Sequence, residues 1–169
     1  MADRNTTLHG NPLALQGDEI ATGQKAPDFT LTGTDMKPVT LADTAGSVRI
    51  VNVLPSLDTP VCDAQTRHFN EEAVKNSRVK VLAVSRDLPF AQKRWCTAAG
   101  VENVLTLSDY KTGEFGTNWG VMIEPLQIHS RAVFVLDADN NVTYAQYVTE
   151  MSEAPDYDAA LLAAAATAG

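Results

Sequence analysis

Two apolar, β-branched runs with a single helical stretch between them do most to limit what this chain can become. The first is Ile50, Val51, Val53 and Leu54, and the second runs from Arg78 to Ser85 through Val79, Val81, Leu82 and Val84. Pro55 stops the first run. Thr59 then stands where a helix cap belongs, and Pro60 takes the first helical position, where its missing N–H costs nothing. The spacing predicts a helix from Thr59 to Asn76. A strand, a helix and a strand in this order imply parallel pairing through a right-handed crossover.

The flanking segments extend that unit. Gly10, Asn11 and Pro12 between Leu8 and Leu13 signal an N-terminal β-hairpin. Phe29–Thr32 alternates as a strand, and Ala42–Ala45 forms one helical turn closed by Gly46. Asp87 is placed to cap a second helix whose Leu88, Ala91, Trp95 and Ala98 make a core-facing stripe, ending at Gly100. Val104–Leu107 adds a strand, and Lys111–Trp119 is helical between turn glycines. The runs 131–136 and 142–148 form a hairpin at the sheet edge, and a last helix starts at Pro155 and Asp156, docked by Leu161 and Leu162. The expected architecture is α/β: a central mixed β-sheet with helices on both faces and an N-terminal β-hairpin, in one domain over residues 1–169.

Charge and cysteine content narrow the function. A net charge of −8 argues against nucleic-acid and anionic membrane surfaces. No apolar run is long enough to span a bilayer, and Met1–Gly10 lacks the apolar core of a secretion signal, so the cytoplasm is expected. Two cysteines do not make a disulfide framework, and in a reducing compartment they are reduced, catalytic or redox-sensing. There is no C-x-x-C, and Cys62, Cys96, His68 and His129 lack metal-ligand spacing. No cofactor is called for.

Cys62 falls at the third position of the helix after Pro55. First-turn N–H groups and the helix dipole favour a thiolate there. The plainer reading is a small buried hydrophobe. Cys96 lies at the edge of the second helix's stripe, as a partly exposed thiol or an inert core residue. Arg131 opens a strand at the sheet end where sites form, and is either a charge near the thiol or a surface residue. His68 and His129 read as incidental, because an ionised thiol needs no base.

Pro55-x-x-x-Thr59-x-x-Cys62 resembles the active-site motif of the peroxiredoxins, and Pro55-Ser-Leu-Asp-Thr-Pro-Val-Cys62 is similar to their bacterial thiol peroxidase subfamily. Asp87-Leu-Pro-Phe-Ala-Gln92 leading to Cys96, Arg131-Ala-Val-Phe-Val-Leu-Asp137 and Pro155-Asp-Tyr157 fit the same subfamily. The resemblance implies a thioredoxin-like fold and a thiol-dependent peroxidase acting on hydrogen peroxide and organic hydroperoxides. It implies Cys62 as peroxidatic nucleophile and Cys96 as resolving thiol of the same chain. Thr59 would bond thiolate and peroxide, Pro55 would shield the site, and Arg131 would polarise the O–O bond. It also implies thioredoxin or a similar dithiol as reductant, and a homodimer. Leu57, Val61 and Met122 are expected pocket neighbours. The loop Val121–Ser130 departs from the family pattern, being shorter and without its glycines, which bears on the pocket wall and the dimer contact. Two other uses of such a chain are a redox relay that passes oxidation to a partner protein and a thioredoxin-like binding domain with structural thiols.

Overall fold

A computed structural model of the chain describes residues 4–75, 78–100 and 103–168. Strand β5 (Val48–Val53), helix α2 (Pro60–Lys75) and strand β6 (Val79–Ser85) form the expected crossover, with β5 and β6 parallel and Val51 opposite Leu82. The expected helix end at Asn76 lies outside the described residues. The other elements are β1 (Asn5–Leu8), β2 (Asn11–Gln16), β3 (Thr30–Gly33), β4 (Pro38–Thr40), α1 (Leu41–Thr44), α3 (Pro89–Ala99) and β7 (Val104–Ser108). After them come α4 (Glu114–Asn118), β8 (Met122–Ile123), β9 (Ile128–His129), β10 (Ala132–Leu136), β11 (Val142–Tyr147) and α5 (Tyr157–Ala168).

The main sheet has the order β11-β10-β5-β6-β7-β3-β4, with β5, β6 and β7 parallel and the outer pairings antiparallel. Every residue of β5 and β10 is buried, as central strands covered on both faces require. Side-chain alternation divides the core. Val51, Val53, Leu82, Val84 and Phe134 meet Leu41 of α1 and Phe115 of α4 on one face. Ile50, Val81, Ala83, Val133 and Val135 meet Phe69 of α2, Trp95 of α3 and Ala160 of α5 on the other. Helices therefore cover both faces, as expected.

Several local expectations shift. The first hairpin turns on His9 and Gly10, both left-handed at φ 50° and 81° as a two-residue turn requires, while Pro12 lies inside β2 opposite Thr7. Helix α3 is rotated from the expected stripe: Leu88 and Ala98 are exposed, and Pro89, Gln92 and Trp95 are buried. The polar Gln92 is tolerated inside because its amide nitrogen donates to Ser85 Oγ (3.1 Å) and the Leu107 carbonyl (2.9 Å). In α5, Ala160 and Ala164 face the sheet and Leu162 is exposed, because small side chains let that helix lie close. The segment read as a loop at 121–130 is a hairpin, β8–β9, which extends β1–β2 into a second sheet of order β1-β2-β8-β9. Met122 of this hairpin packs against α4: a Cβ at Gly116 would lie 2.7 Å from its terminal methyl and 3.0 Å from His129 Nε2, so a larger residue there would have to displace the methionine tip and crowd the histidine.

Candidate active site

Helix α2 begins at Pro60, and the Asp63 amide donates to the Thr59 carbonyl (2.9 Å), which closes the first turn around Cys62. Cys62 has no exposed surface and belongs to the apolar cluster on this face of the sheet, with Leu54, Leu57 and Phe69. Its sulfur accepts from Arg131 Nη1 at 3.1 Å. Arg131 precedes β10, whose Ala132 pairs with Val53 at the end of β5, so the register of the sheet carries the guanidinium to the start of α2.

The guanidinium is itself fixed. Nε and Nη2 both donate to the Met151 carbonyl (3.1 and 2.9 Å), and Nη1 also donates to Gln65 Oε1 (2.8 Å). Gln65 in turn donates to Asn52 Oδ1 of β5, Asn52 donates to Thr66 Oγ1 (3.3 Å), and Thr66 donates back to the Cys62 carbonyl (2.9 Å). Arg131 is 2% exposed, and among the described residues no carboxylate pairs with it. A buried cation surrounded by neutral oxygens is costly unless an anion is supplied. Among the described residues in hydrogen-bond reach, only the sulfur can become that anion.

Pro55 is buried between β5 and the turn leading into α2. Thr59 donates its hydroxyl to the Ser56 carbonyl (2.9 Å), which orients the side chain and leaves the oxygen able to accept. The turn is held from outside by Asp87, whose carboxylate accepts from Ser56 Oγ (2.7 Å), the Leu57 amide (2.9 Å) and Ser85 Oγ (2.9 Å). Asp87 is therefore not the expected cap. The N-cap of α3 is Leu88, without a side-chain bond.

Cys96 lies on α3, half-buried, its sulfur 3.7 Å from Thr106 Oγ1 of β7. Burial pushes its thiol up from the ordinary range, with the Thr106 contact opposing. Both thiols are free. Tyr157 of α5 packs on Phe69 and His68, at 5.5 and 4.5 Å between ring centres. Burial raises its phenol, with Arg131 opposing and Cys62 adding to the shift. His129 is elsewhere, buried against Asp109 with Nε2 2.8 Å from Oδ2.

The structure thus brings Cys62 and Arg131 into contact, puts Pro55 and Thr59 on the turn leading to them, and sets Cys96 on the neighbouring helix. Sequence reasoning missed Gln65, Asn52, Asp87 and the Met151 carbonyl. Asn52 had left a signal, an amide in an otherwise apolar central stretch of strand. A backbone carbonyl leaves none.

The Redoxin family model matches residues 21–161. The chain is 54% identical over 160 residues to the thiol peroxidase of Halalkalibacterium halodurans, covering 95% of this chain and 96% of that one. It is 49% identical over 160 residues to the thiol peroxidase of Bacillus subtilis, with coverage of 95% and 96%. The crystal structure of a peroxiredoxin-like protein from Aquifex aeolicus superposes with a TM-score of 0.91 at 36% identity, covering 97% of both chains. The chain belongs to the Redoxin family, among its thiol peroxidases.

Proposed function

We propose that Cys62 is the nucleophile of this thiol-dependent peroxidase and Cys96 the thiol that resolves it. The observation that carries the reading is the Arg131 guanidinium, buried with no carboxylate partner among the described residues and donating to the Cys62 sulfur at 3.1 Å. The thiolate attacks one oxygen of a hydroperoxide, the O–O bond breaks, and an alcohol or water leaves after taking a proton. Arg131, the Thr59 oxygen and the first-turn N–H groups hold the oxygens as charge moves onto the leaving one. Pro55 walls the thiol from bulk water. The Cys96 thiol then attacks the Cys62 sulfenic acid, water leaves, and an intramolecular disulfide forms. A thioredoxin-type dithiol returns both sulfurs to thiols by exchange.

The family likeness supports the hydroperoxide substrate, the dithiol reductant and a homodimer as the working assembly. A cytoplasmic site of action fits two free thiols that need an external reductant. No helix among the described residues is long and apolar enough to cross a membrane.

The test is intact mass after one equivalent of hydroperoxide. Wild type should lose two hydrogens and stay monomeric by mass under denaturing, non-reducing conditions. Cys62→Ser should consume no peroxide, and Cys96→Ser should stop at one oxygen added. Normal thioredoxin-dependent turnover by Cys96→Ser would refute the resolving role.

A further inference from the structure

The residues next to the two thiols are bonded to each other. Asp63 follows Cys62 and Trp95 precedes Cys96, and Trp95 Nε1 donates to Asp63 Oδ1 at 2.7 Å. Arg67, one turn further along α2, completes a triangle. Its Nε donates to Asp63 Oδ2 (2.8 Å), its guanidinium lies 5.8 Å from the Trp95 ring centre, and its Nη1 donates to the Ala99 carbonyl (3.3 Å). These contacts tie the first two turns of α2 to α3.

Helix geometry gives the triangle a consequence. The Cys62 sulfur faces Arg131 and Gln65, the latter three positions on and so on the same side of α2. Asp63 is turned from it by ~100°, towards α3. To bond Cys96, Cys62 must leave Arg131 and move towards α3, to which the next residue, Asp63, is bonded through Trp95. A disulfide also needs Cα atoms within ~4.4–6.8 Å, which two intact helices do not offer without backbone movement.

We propose that Asp63 and Trp95 are positioning residues that set the rate of resolution. Their bond is a latch that holds the first turn of α2 wound and must open before the disulfide forms. It leaves attack on the peroxide untouched, because the sulfur's hydrogen bond is made by Arg131 and by neither of these side chains. The inference rests on Cys62 as nucleophile and Cys96 as resolving thiol. Two reactions then compete for the Cys62 sulfenic acid. In one, the Cys96 thiol forms the disulfide and water leaves. In the other, a second hydroperoxide adds an oxygen, giving the sulfinic acid and one alcohol. A tighter latch favours the second.

The experiment titrates reduced protein with hydroperoxide, quenches, and reads disulfide against sulfinic acid by intact mass. A parallel single-turnover measurement follows peroxide loss. Trp95→Phe keeps the ring and removes the N–H; Arg67→Gln releases the other side of Asp63 without touching the tryptophan packing. Both should raise the peroxide level that gives half sulfinic acid, by about tenfold for Trp95→Phe, the low end of what losing one hydrogen bond to a charged group implies. The rate of first attack should stay within twofold of wild type. Asp63→Asn, which retains an acceptor for Trp95, should fall between. An unchanged or lowered half-point in Trp95→Phe and Arg67→Gln, or a slower first attack in both, overturns the latch. If wild type gives no internal disulfide at all, the resolving assignment fails and the latch with it; if only the variants' half-points stay fixed, the latch alone fails.

Discussion

Two arginines are buried on the same pair of strands, at opposite ends. Arg49 on β5 is paired with Leu136 of β10, while Arg131 precedes β10 where it meets the other end of β5. Neither side chain reaches solvent to any useful degree. Arg49 donates to the Ser47 and Asp137 carbonyls, to Thr44 Oγ1 and to Asn140 Oδ1, at 2.6–3.1 Å. Burial pulls its guanidinium down, and the nearby Asp137 carboxylate opposes that. Arg131 has fewer oxygen partners, the Met151 carbonyl and Gln65 Oε1, and no such anion among the described residues, and its remaining neighbour is a thiol. The difference teaches that burial and hydrogen bonding alone do not single out a site arginine. Under the proposed mechanism, what sets Arg131 apart is a charge left for the thiol to balance.

Substitution should separate the two ends. Arg131→Met should lower the second-order rate of peroxide consumption by about 10²–10³-fold, the loss seen when one donor to a developing oxyanion is removed. Arg131→Lys should not restore it, because a point charge cannot hold the Met151 carbonyl and reach the sulfur together. Stopped-flow peroxide consumption checks both. Activity near wild type in Arg131→Met would erase the distinction between the arginines.

Arg49→Met should do the reverse. It removes the donor to Thr44 Oγ1, the Asp137 carbonyl and Asn140 Oδ1 and leaves a cavity among buried polar groups, and should cost about 2–4 kcal/mol in urea unfolding. The rate per folded molecule should be unchanged.

The smallest effect concerns the loop that supplies Arg131 with its carbonyl. Glu150 accepts from the Ser152 hydroxyl (2.6 Å) and amide (2.8 Å), from the Gly10 amide (2.8 Å) and from Thr7 Oγ1 (3.0 Å), which holds its carboxyl down to about 2. A carboxyl lowered on folding stabilises above its ordinary value of 4.5, and that contribution fades as pH falls towards 2. Acidification through this window should raise amide exchange at Thr7, Gly10 and Met151 before it reaches the Arg49 end. Glu150→Gln should show the raised exchange already at neutral pH.

The crossover at the centre was legible because periodicity and Pro55, Thr59 and Pro60 all point one way there. Cys62 and Arg131 were legible for the same reason, since strand ends and first helical turns are fixed by the backbone. The rotation of α3 was not. Its apolar residues suggest one face, but Gln92 finds partners on β6 and β7 that no pattern of the helix itself reveals. Asp87 failed in the same way: a carboxylate before Leu88 and Pro89 looks like a cap, and only the fold shows that Ser56 and Leu57 are nearer. Residues 121–130 contain few strand formers in a row, and become a hairpin because β2 offers them an edge.

The first strand has a bearing on when the site comes into being. Thr7 donates to the Thr149 carbonyl and accepts from the Met151 amide, each at 2.8 Å, and Met151 is the residue whose carbonyl grips Arg131. β1 is thus completed by a segment made about 140 residues after it. During synthesis the thiol helix and its crossover can assemble early, while Arg131 still lacks its carbonyl. A chain emerging from the ribosome at about 5–20 residues per second carries Cys62 for several seconds before residue 151 is joined. The newborn enzyme should therefore pass through a stage in which the sulfur is folded but not yet armed.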